Sequence, residues 1–226
     1  MGIFHARAII FDKDGVLLDT MAMIRSAWAE WATGRGLDPA QVLASIHMTA
    51  YEILDTFAPS ADPAEEIRLI ASRQASLEQE IKAFDGAGEL LRALPDGSWA
   101  IVTSARREVA ERHLAMSGLP VPEVLICAED TPRGKPDPSG YRLAAQRLGV
   151  PPGECLVIED SPAGVRAAHA ANIFTVAVST THPPSELLHA NAVISSLQQL
   201  DVRCETLESA RPIRIEWSDS ETARAT

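Results

Sequence analysis

The chain is poor in cysteine, has no long apolar run, shows no internal repeat, and carries fewer cations than anions. Three cysteines, Cys127, Cys155 and Cys204, are spread over 226 residues, too few and too scattered for a disulfide framework. Cys127 and Cys155 each sit in or beside an apolar run, so they read as buried reduced thiols, and a cytoplasmic protein is expected. No stretch reaches the roughly 18 apolar residues of a membrane span, and no cationic start leads into an apolar segment, so neither a span nor a signal peptide is predicted. Met1-Gly2 is followed by Ala6 where a myristoylation signal needs Ser or Thr. Lysine and arginine number 20 against 31 aspartates and glutamates, a net charge of -11. That balance excludes nucleic acid and acidic membrane as expected partners. It leaves a phosphate ligand open, because the charge at one site can oppose the global sign. The length suits one large domain or a domain with a small insert, and a monomer or homodimer is expected.

The stretch that organises the rest is Ala8-Ile9-Ile10-Phe11-Asp12-Lys13-Asp14-Gly15. Four apolar residues read as a strand buried on both faces, ended abruptly by charge. Asp12 and Asp14, two apart, point the same way out of the sheet edge if the strand geometry continues. Taken alone, an Asp-Gly turn is an equal reading. Further strands are predicted at Trp99-Ala100-Ile101-Val102, Val124-Leu125-Ile126-Cys127, Cys155-Leu156-Val157-Ile158 and Phe174-Thr175-Val176-Ala177-Val178, with a short one at Ala192-Val193-Ile194. Helical faces fall between them, so the core is predicted as an α/β doubly wound parallel sheet of Rossmann-like type. Residues 20–82 read as helix throughout. Asp38-Pro39 and Asp62-Pro63 are helix starts, and the second opens a helix carrying Ile67, Ile70, Leu77 and Ile81 on one face. An all-helical block between α/β stretches is predicted as an inserted α-helical cap domain, with residues 1–19 and 83–226 forming the core. The tail from Asp201 is polar. Ile213-Arg214-Ile215 reads as a small edge strand, and the chain from Ser218 reads as disordered.

Four strand ends carry polar groups: Asp12 and Asp14, Thr103 and Ser104, the loop with Lys135, and Glu159 with Asp160. In a parallel sheet these ends share one edge, where ligands bind. Carboxylates gathered there repel one another unless a cation joins them, and hard oxygen donors suit Mg²⁺. With Lys135 and the two hydroxyls, the set describes a pocket for a phosphoryl group.

The order of these motifs resembles the haloacid dehalogenase-like hydrolases, and among them the capped phosphatases acting on sugar and glycerol phosphates. The resemblance covers residues 6–200. It rests on Phe11-Asp12-Lys13-Asp14-Gly15-Val16, Ile101-Val102-Thr103-Ser104, Gly134-Lys135-Pro136-Asp137-Pro138 and Ile158-Glu159-Asp160-Ser161-Pro162-Ala163-Gly164. It implies that Asp12 attacks phosphorus to form an aspartyl-phosphate, and that Asp14 protonates the leaving oxygen and then activates water. Lys135 would steady Asp12 and the phosphate, with Thr103 and Ser104 as phosphate donors. Asp12, the backbone carbonyl of Asp14, Asp160 and Glu159 would hold Mg²⁺. The implied substrate is a small-molecule phosphate ester, a sugar or polyol phosphate. The sugar-phosphate mutases of the group are the nearer rival, but Ile24 stands where they carry a histidine before Ala27-Trp28. A non-catalytic phosphometabolite-binding protein on the same fold is the rival from another class.

Other polar and aromatic residues have plainer readings. His47 lies in a helical, partly apolar segment. A structural role competes there with a substrate-facing one, and it is the best single candidate for cap specificity. Trp28 and Trp31 read as core, Arg25 and Arg106 as solvated charges, and Asp19 as a hinge or capping residue.

Overall fold

The computed structural model describes residues 1–204 and 212–218. Two strands open the chain, β1 (Gly2–Ala6) and β2 (Ala8–Asp12). Four helices follow, α1 (Met21–Gly34), α2 (Pro39–Leu43), α3 (Ala50–Phe57) and α4 (Pro63–Ala75). Alternation then sets in with α5 (Ala87–Ala93), β3 (Trp99–Val102), α6 (Arg107–Met116), β4 (Val124–Ile126), α7 (Ser139–Leu148), β5 (Cys155–Glu159), α8 (Pro162–Ala170) and β6 (Phe174–Val178). Three strands close it: β7 (Ala192–Ile194), β8 (Leu200–Cys204) and β9 (Ile213–Trp217).

Six strands form one parallel sheet in the order β4-β3-β2-β5-β6-β7. The chain leaves β2 for β3 and β4 on one side and returns to β5 on the other. The strand order therefore reverses at β2, and a ligand crevice opens beyond its carboxyl end. All five residues of β2 are buried. Ile9 and Phe11 join the apolar cluster on one face of the sheet, while Ala8 and Ile10 join the cluster under α7 and α8 on the other. This two-residue alternation, with both sides covered, is why the run is continuously apolar.

The cap helices bury their own cluster, built on Ala27, Trp28, Trp31, Val42, Ile53, Leu54, Ile67 and Ile70. Their starts obey local chemistry. Asp38 and Asp62 accept from the backbone N–H groups of Ala40 and Ala64 at 2.9 Å, each with Pro at the first helical position. The two linkers to the cap run side by side. Asp19 N–H donates to the Lys82 carbonyl, and Phe84 N–H to the Leu17 carbonyl, both at 2.9 Å.

The structure corrects three expectations. First, α4 ends at Ala75 and a single 3₁₀ turn follows at Glu78–Glu80. Leu77 and Ile81 pack on the main core rather than in the cap, because the apolar spacing continues past the last helical hydrogen bond into the linker. Second, Ile213-Arg214-Ile215 is not an edge strand. It belongs to β9, the middle of an antiparallel sheet ordered β1-β9-β8. Ile213, Ile215 and Trp217 on one face are buried against the main core. Third, β1 and β8 are strands where none was predicted, since neither carries a strong apolar pattern and each exists by pairing with β9. Residues 219–226, within the tail read as disordered, lie outside the described residues.

Candidate active site

The parallel register sets the site. Asp12 pairs with Val102, Phe11 with Ile158, and Glu159 with Ala177. The ends of β2, β3 and β5 are thereby level, and Asp12, Thr103, Glu159 and Asp160 emerge together. One carboxylate oxygen from each of Asp12, Glu159 and Asp160 lies within 4.8 Å of the others, and all three residues are buried. Lys135 reaches in from its loop and donates to Asp12 and to Glu159.

Glu159 is fully committed to this framework. It accepts from Tyr141 Oη at 2.9 Å, from the backbone N–H groups of Asp160 and Ser161 at 2.7 and 2.8 Å, and from Ser161 Oγ at 3.0 Å, besides Lys135. It anchors the lysine, and Tyr141 adds its ring beside the ammonium at 5.4 Å. Two glycines make room. A Cβ on Gly164 would lie 1.6 Å from Glu159 Oε1, and one on Gly15 2.2 Å from Asp160 Oδ2. Gly15 also has φ +87°, as the sharp turn after β2 demands.

Charge within the cluster is unbalanced. Burial pushes the Asp12 carboxyl up to about 7, with Glu159 and Asp14 adding to the rise against the pull of Lys135. Burial, reinforced by Glu159 and Asp12, also raises Asp160 well above the ordinary carboxylate range. One lysine does not satisfy three carboxylates, so the donor set is short of positive charge. A small hard dication fits that deficit, and Mg²⁺ takes such carboxylates together with waters and substrate oxygen.

Asp14 lines the same cavity but its carboxylate turns toward the cap hinge. It accepts from Thr20 Oγ1 at 2.6 Å, from Thr103 Oγ1 at 3.2 Å and from Lys13. Burial would raise it, but the Lys13 ammonium and the Thr20 hydroxyl outweigh that and hold it below the usual range. The Thr103 hydroxyl is thus engaged with Asp14. Ser104 Oγ donates to the His47 carbonyl at 2.9 Å, tying core to cap.

A cavity of about 800 Å³ lies between the strand ends and the cap. Asp12, Asp14, Ser104, Lys135 and Asp160 line its floor, and Ile24, Trp28, Ile46, His47 and Met48 are among its cap-side walls. Burial, then the nearby Arg166 charge, holds His47 below its ordinary 6.5, so the ring is neutral at pH 7. Trp28 is buried and packs edge-on to Trp31 at 5.4 Å. It serves the cap core, as expected, while one side still meets the cavity. Arg25 and Arg106 line the mouth, and Arg106 pairs with Glu129 at 3.2 Å. Asp19 is exposed, and its backbone joins the linker pair.

Several site residues escaped the sequence reading. Thr181 donates to Asp160, and Arg166 and His182 line the cavity. A polar Ser-Thr-Thr-His run directly after β6 was the available signal for two of them. His113 is buried on α6, with Nε2 3.2 Å from Glu78 Oε1, and Arg112 donates to the same oxygen at 2.7 Å. These two contacts fix the second cap linker to the core.

A doubly wound sheet with a helical insert between its first two strands, and buried carboxylates beside a lysine at the switch point, defines a capped α/β hydrolase. A model of the haloacid dehalogenase-like hydrolases matches residues 6–172, and the chain belongs to that family. It is 39% identical over 204 residues to hexitol phosphatase A of Escherichia coli (strain K12), covering 88% of this chain and 94% of that one. Among solved structures it resembles a hydrolase from Pseudomonas syringae, with TM-score 0.76 and 27% identity over 84% of this chain and 94% of the other. It also resembles β-phosphoglucomutase from Clostridium difficile, with TM-score 0.74 and 27% identity over 87% and 93%. Among the described residues no helix is long and apolar enough to cross a membrane.

Proposed function

We propose that this phosphoric monoester hydrolase removes phosphate from a sugar or polyol phosphate, requires Mg²⁺, and works through an aspartyl-phosphate on Asp12. The observation that carries the reading is Asp12 at the end of β2, held by Lys135 beside Asp160, with Asp14 in the same cavity. Asp12 attacks phosphorus, and the bond to the ester oxygen breaks. Asp14, ionised before substrate binds, takes up a proton as the substrate monoanion enters, delivers it to that oxygen, and then takes one from the water that attacks the phosphorus and returns the Asp12 carboxylate. The Thr20 and Thr103 hydroxyls aim the Asp14 carboxylate. Lys135 keeps Asp12 oriented and meets the phosphoryl oxygens, while Thr103 and Ser104, at the next strand end, serve the phosphate only by releasing Asp14 and the His47 carbonyl, to which their hydroxyls donate. Mg²⁺, held by Asp12, Asp160 and the Asp14 carbonyl, with Glu159 behind them, would offset the charge of the phosphoryl oxygens. Residues 20–82 act as the cap, and their cavity wall selects the leaving group. The name of the hexitol phosphatase relative supports a polyol or sugar phosphate.

The test is a panel of hexitol 6-phosphate, 2-deoxyglucose 6-phosphate, glycerol 1-phosphate and β-glucose 1-phosphate, assayed with and without Mg²⁺ for free phosphate and for isomerised sugar. Phosphate release that needs Mg²⁺ supports the reading. Isomerised product as the main outcome would replace it with a mutase, and no turnover of any ester would leave a binding protein.

A further inference from the structure

We infer that Glu52, a cap residue, is a positioning residue for the core: by accepting the backbone N–H of Gly134 it sets the loop that carries Lys135. The inference rests on the phosphatase reading and deepens it, because it makes docking of the cap a condition for seating the lysine that holds Asp12.

Glu52 first has a local duty. Thr49 caps α3, and Glu52 stands three residues on. Its Oε2 accepts from Thr49 N–H at 2.9 Å and from Thr49 Oγ1 at 2.7 Å, completing a capping box. That would satisfy the helix start. Yet the same carboxylate spans to the core, where Gly134 N–H donates to Oε1 at 3.0 Å and to Oε2 at 3.1 Å. A capping box has no use for this contact. Its effect falls on the next residue, Lys135, whose side chain is 9% exposed and donates to Asp12 and Glu159.

Gly134 is shaped for the approach. A Cβ there would lie 2.7 Å from Glu52 Oε2, 3.0 Å from Thr49 N and 3.1 Å from Thr49 Cγ2. Gly134 is not among the glycines with positive φ. Its missing side chain therefore answers to the cap lying against it, not to the turn of its own loop.

A second tie makes the contact part of a clasp. Ser104 Oγ donates to the His47 carbonyl at 2.9 Å. Cap residues 47–52 thus lie across two core loops, the end of β3 and the Lys135 loop. Within that segment His47, Met48, Ala50 and Tyr51 line the cavity. The part of the cap that meets the leaving group is the part that orders the lysine, so correct filling of the cavity is transmitted to the nucleophile.

The test separates this role from helix capping. Gln at the third helical position still serves a capping box, so Glu52→Gln should melt within about 2 °C of wild type. It loses the charge facing the Gly134 N–H, and kcat should fall about tenfold on both hexitol 6-phosphate and p-nitrophenyl phosphate, as loss of one charge-assisted hydrogen bond implies. KM should change far less than kcat, and exchange of the Gly134 amide hydrogen should accelerate. Gly134→Ala should repeat the kcat loss with Glu52 intact. Asp62→Ala, which removes the cap of α4 and touches neither core loop, should lower the melting temperature but leave kcat alone. Wild-type kcat in Glu52→Gln, or a kcat loss equally present in Asp62→Ala, overturns the positioning role alone. A wild-type protein that hydrolyses no ester overturns the phosphatase reading and the role together. In that case, unchanged Gly134 exchange in Glu52→Gln would overturn the contact as well.

Discussion

Replacing the nucleophile should stabilise the metal-free protein while abolishing turnover. Asp12 is buried among Glu159, Asp14 and Asp160, and its carboxyl is pushed from 3.8 to about 7. A carboxyl whose folded value is raised leaves stability intact below its unfolded value, and withdraws it as pH climbs toward the folded one. The window here runs from about pH 3.8 to about pH 7. At about 1.4 kcal/mol per pH unit, the ionised group withdraws roughly 4 kcal/mol by pH 8. Asp12→Asn removes that charge. The raised value is already net of the pull of Lys135, so the gain is the whole of roughly 4 kcal/mol, which in a chain of this size corresponds to about 8–16 °C. Thermal melts at pH 8 in chelator should therefore place Asp12→Asn above wild type, with the gap narrowing toward pH 4. Adding Mg²⁺ should raise wild type and leave the variant nearly still, closing or reversing the gap. Phosphate release by the variant should drop by several orders of magnitude. A variant that melts below wild type at pH 8 in chelator would refute the charge argument, and near-normal turnover would refute the nucleophile.

Gly164→Ala should lower turnover more than tenfold and destabilise by about 1–3 kcal/mol, since its Cβ meets Glu159 at 1.6 Å; normal kinetics would show that Glu159 does not govern Lys135. Asp160→Ala should weaken Mg²⁺ dependence of the rate, partly recovered at high Mg²⁺, and activity that survives exhaustive chelation would contradict it. Glu66 accepts from Trp31 Nε1 at 2.7 Å and Arg35 Nε at 3.0 Å. Burial would raise its carboxyl, but those donors hold it below 4.5. Its stabilisation is present above that value and lost as pH falls below it, so Glu66→Ala should cost about 1–3 kcal/mol at pH 7 and less at pH 3, measured by denaturant titration. His47→Ala should raise KM for sugar phosphates and leave p-nitrophenyl phosphate largely unaffected, and an unchanged substrate ranking would return His47 to a structural role.

What was legible in the sequence was whatever the chain decides locally. Residues 8–11 had to be a doubly buried strand because no polar residue interrupts them, and Asp12, Thr103 and Glu159 could be placed because each ends such a run. Asp38 and Asp62 announced helix starts through their own hydrogen bonds. Illegible were the features made by apposition. β8 is polar and becomes a strand only because β9 supplies its partner. Leu77 and Ile81 kept helical spacing across a break that Ser76 makes, so spacing alone assigned them to the wrong core. At the site, Thr181 sits in a polar run that does not name its partner, Tyr141 carries no motif of its own, and the Thr49-x-x-Glu52 pattern announces only a helix start. Thr181, Tyr141 and Glu52 matter because the fold brings them to Asp160, Glu159 and Gly134, and no local pattern encodes those pairings.

The distribution of the cap's bonds bears on how it works. Its interior is self-sufficient: a continuous apolar cluster, with the buried Glu66 bound to Trp31 and Arg35. Apart from Glu78, which Arg112 and His113 hold at the second linker, its polar ties to the core land on or beside the reacting groups. Thr20 donates to Asp14, Ser104 to His47, and Gly134 to Glu52. Single hydrogen bonds of this kind contribute about 0.5–1.5 kcal/mol each. A ligand that fills the cavity and touches both cap and core would favour the docked cap and shift the cap toward it. Because the ties touch Asp14 and the Lys135 loop, that shift also aligns the acid and the lysine. Substitutions inside the cap should therefore read out as stability, and substitutions at the ties as turnover.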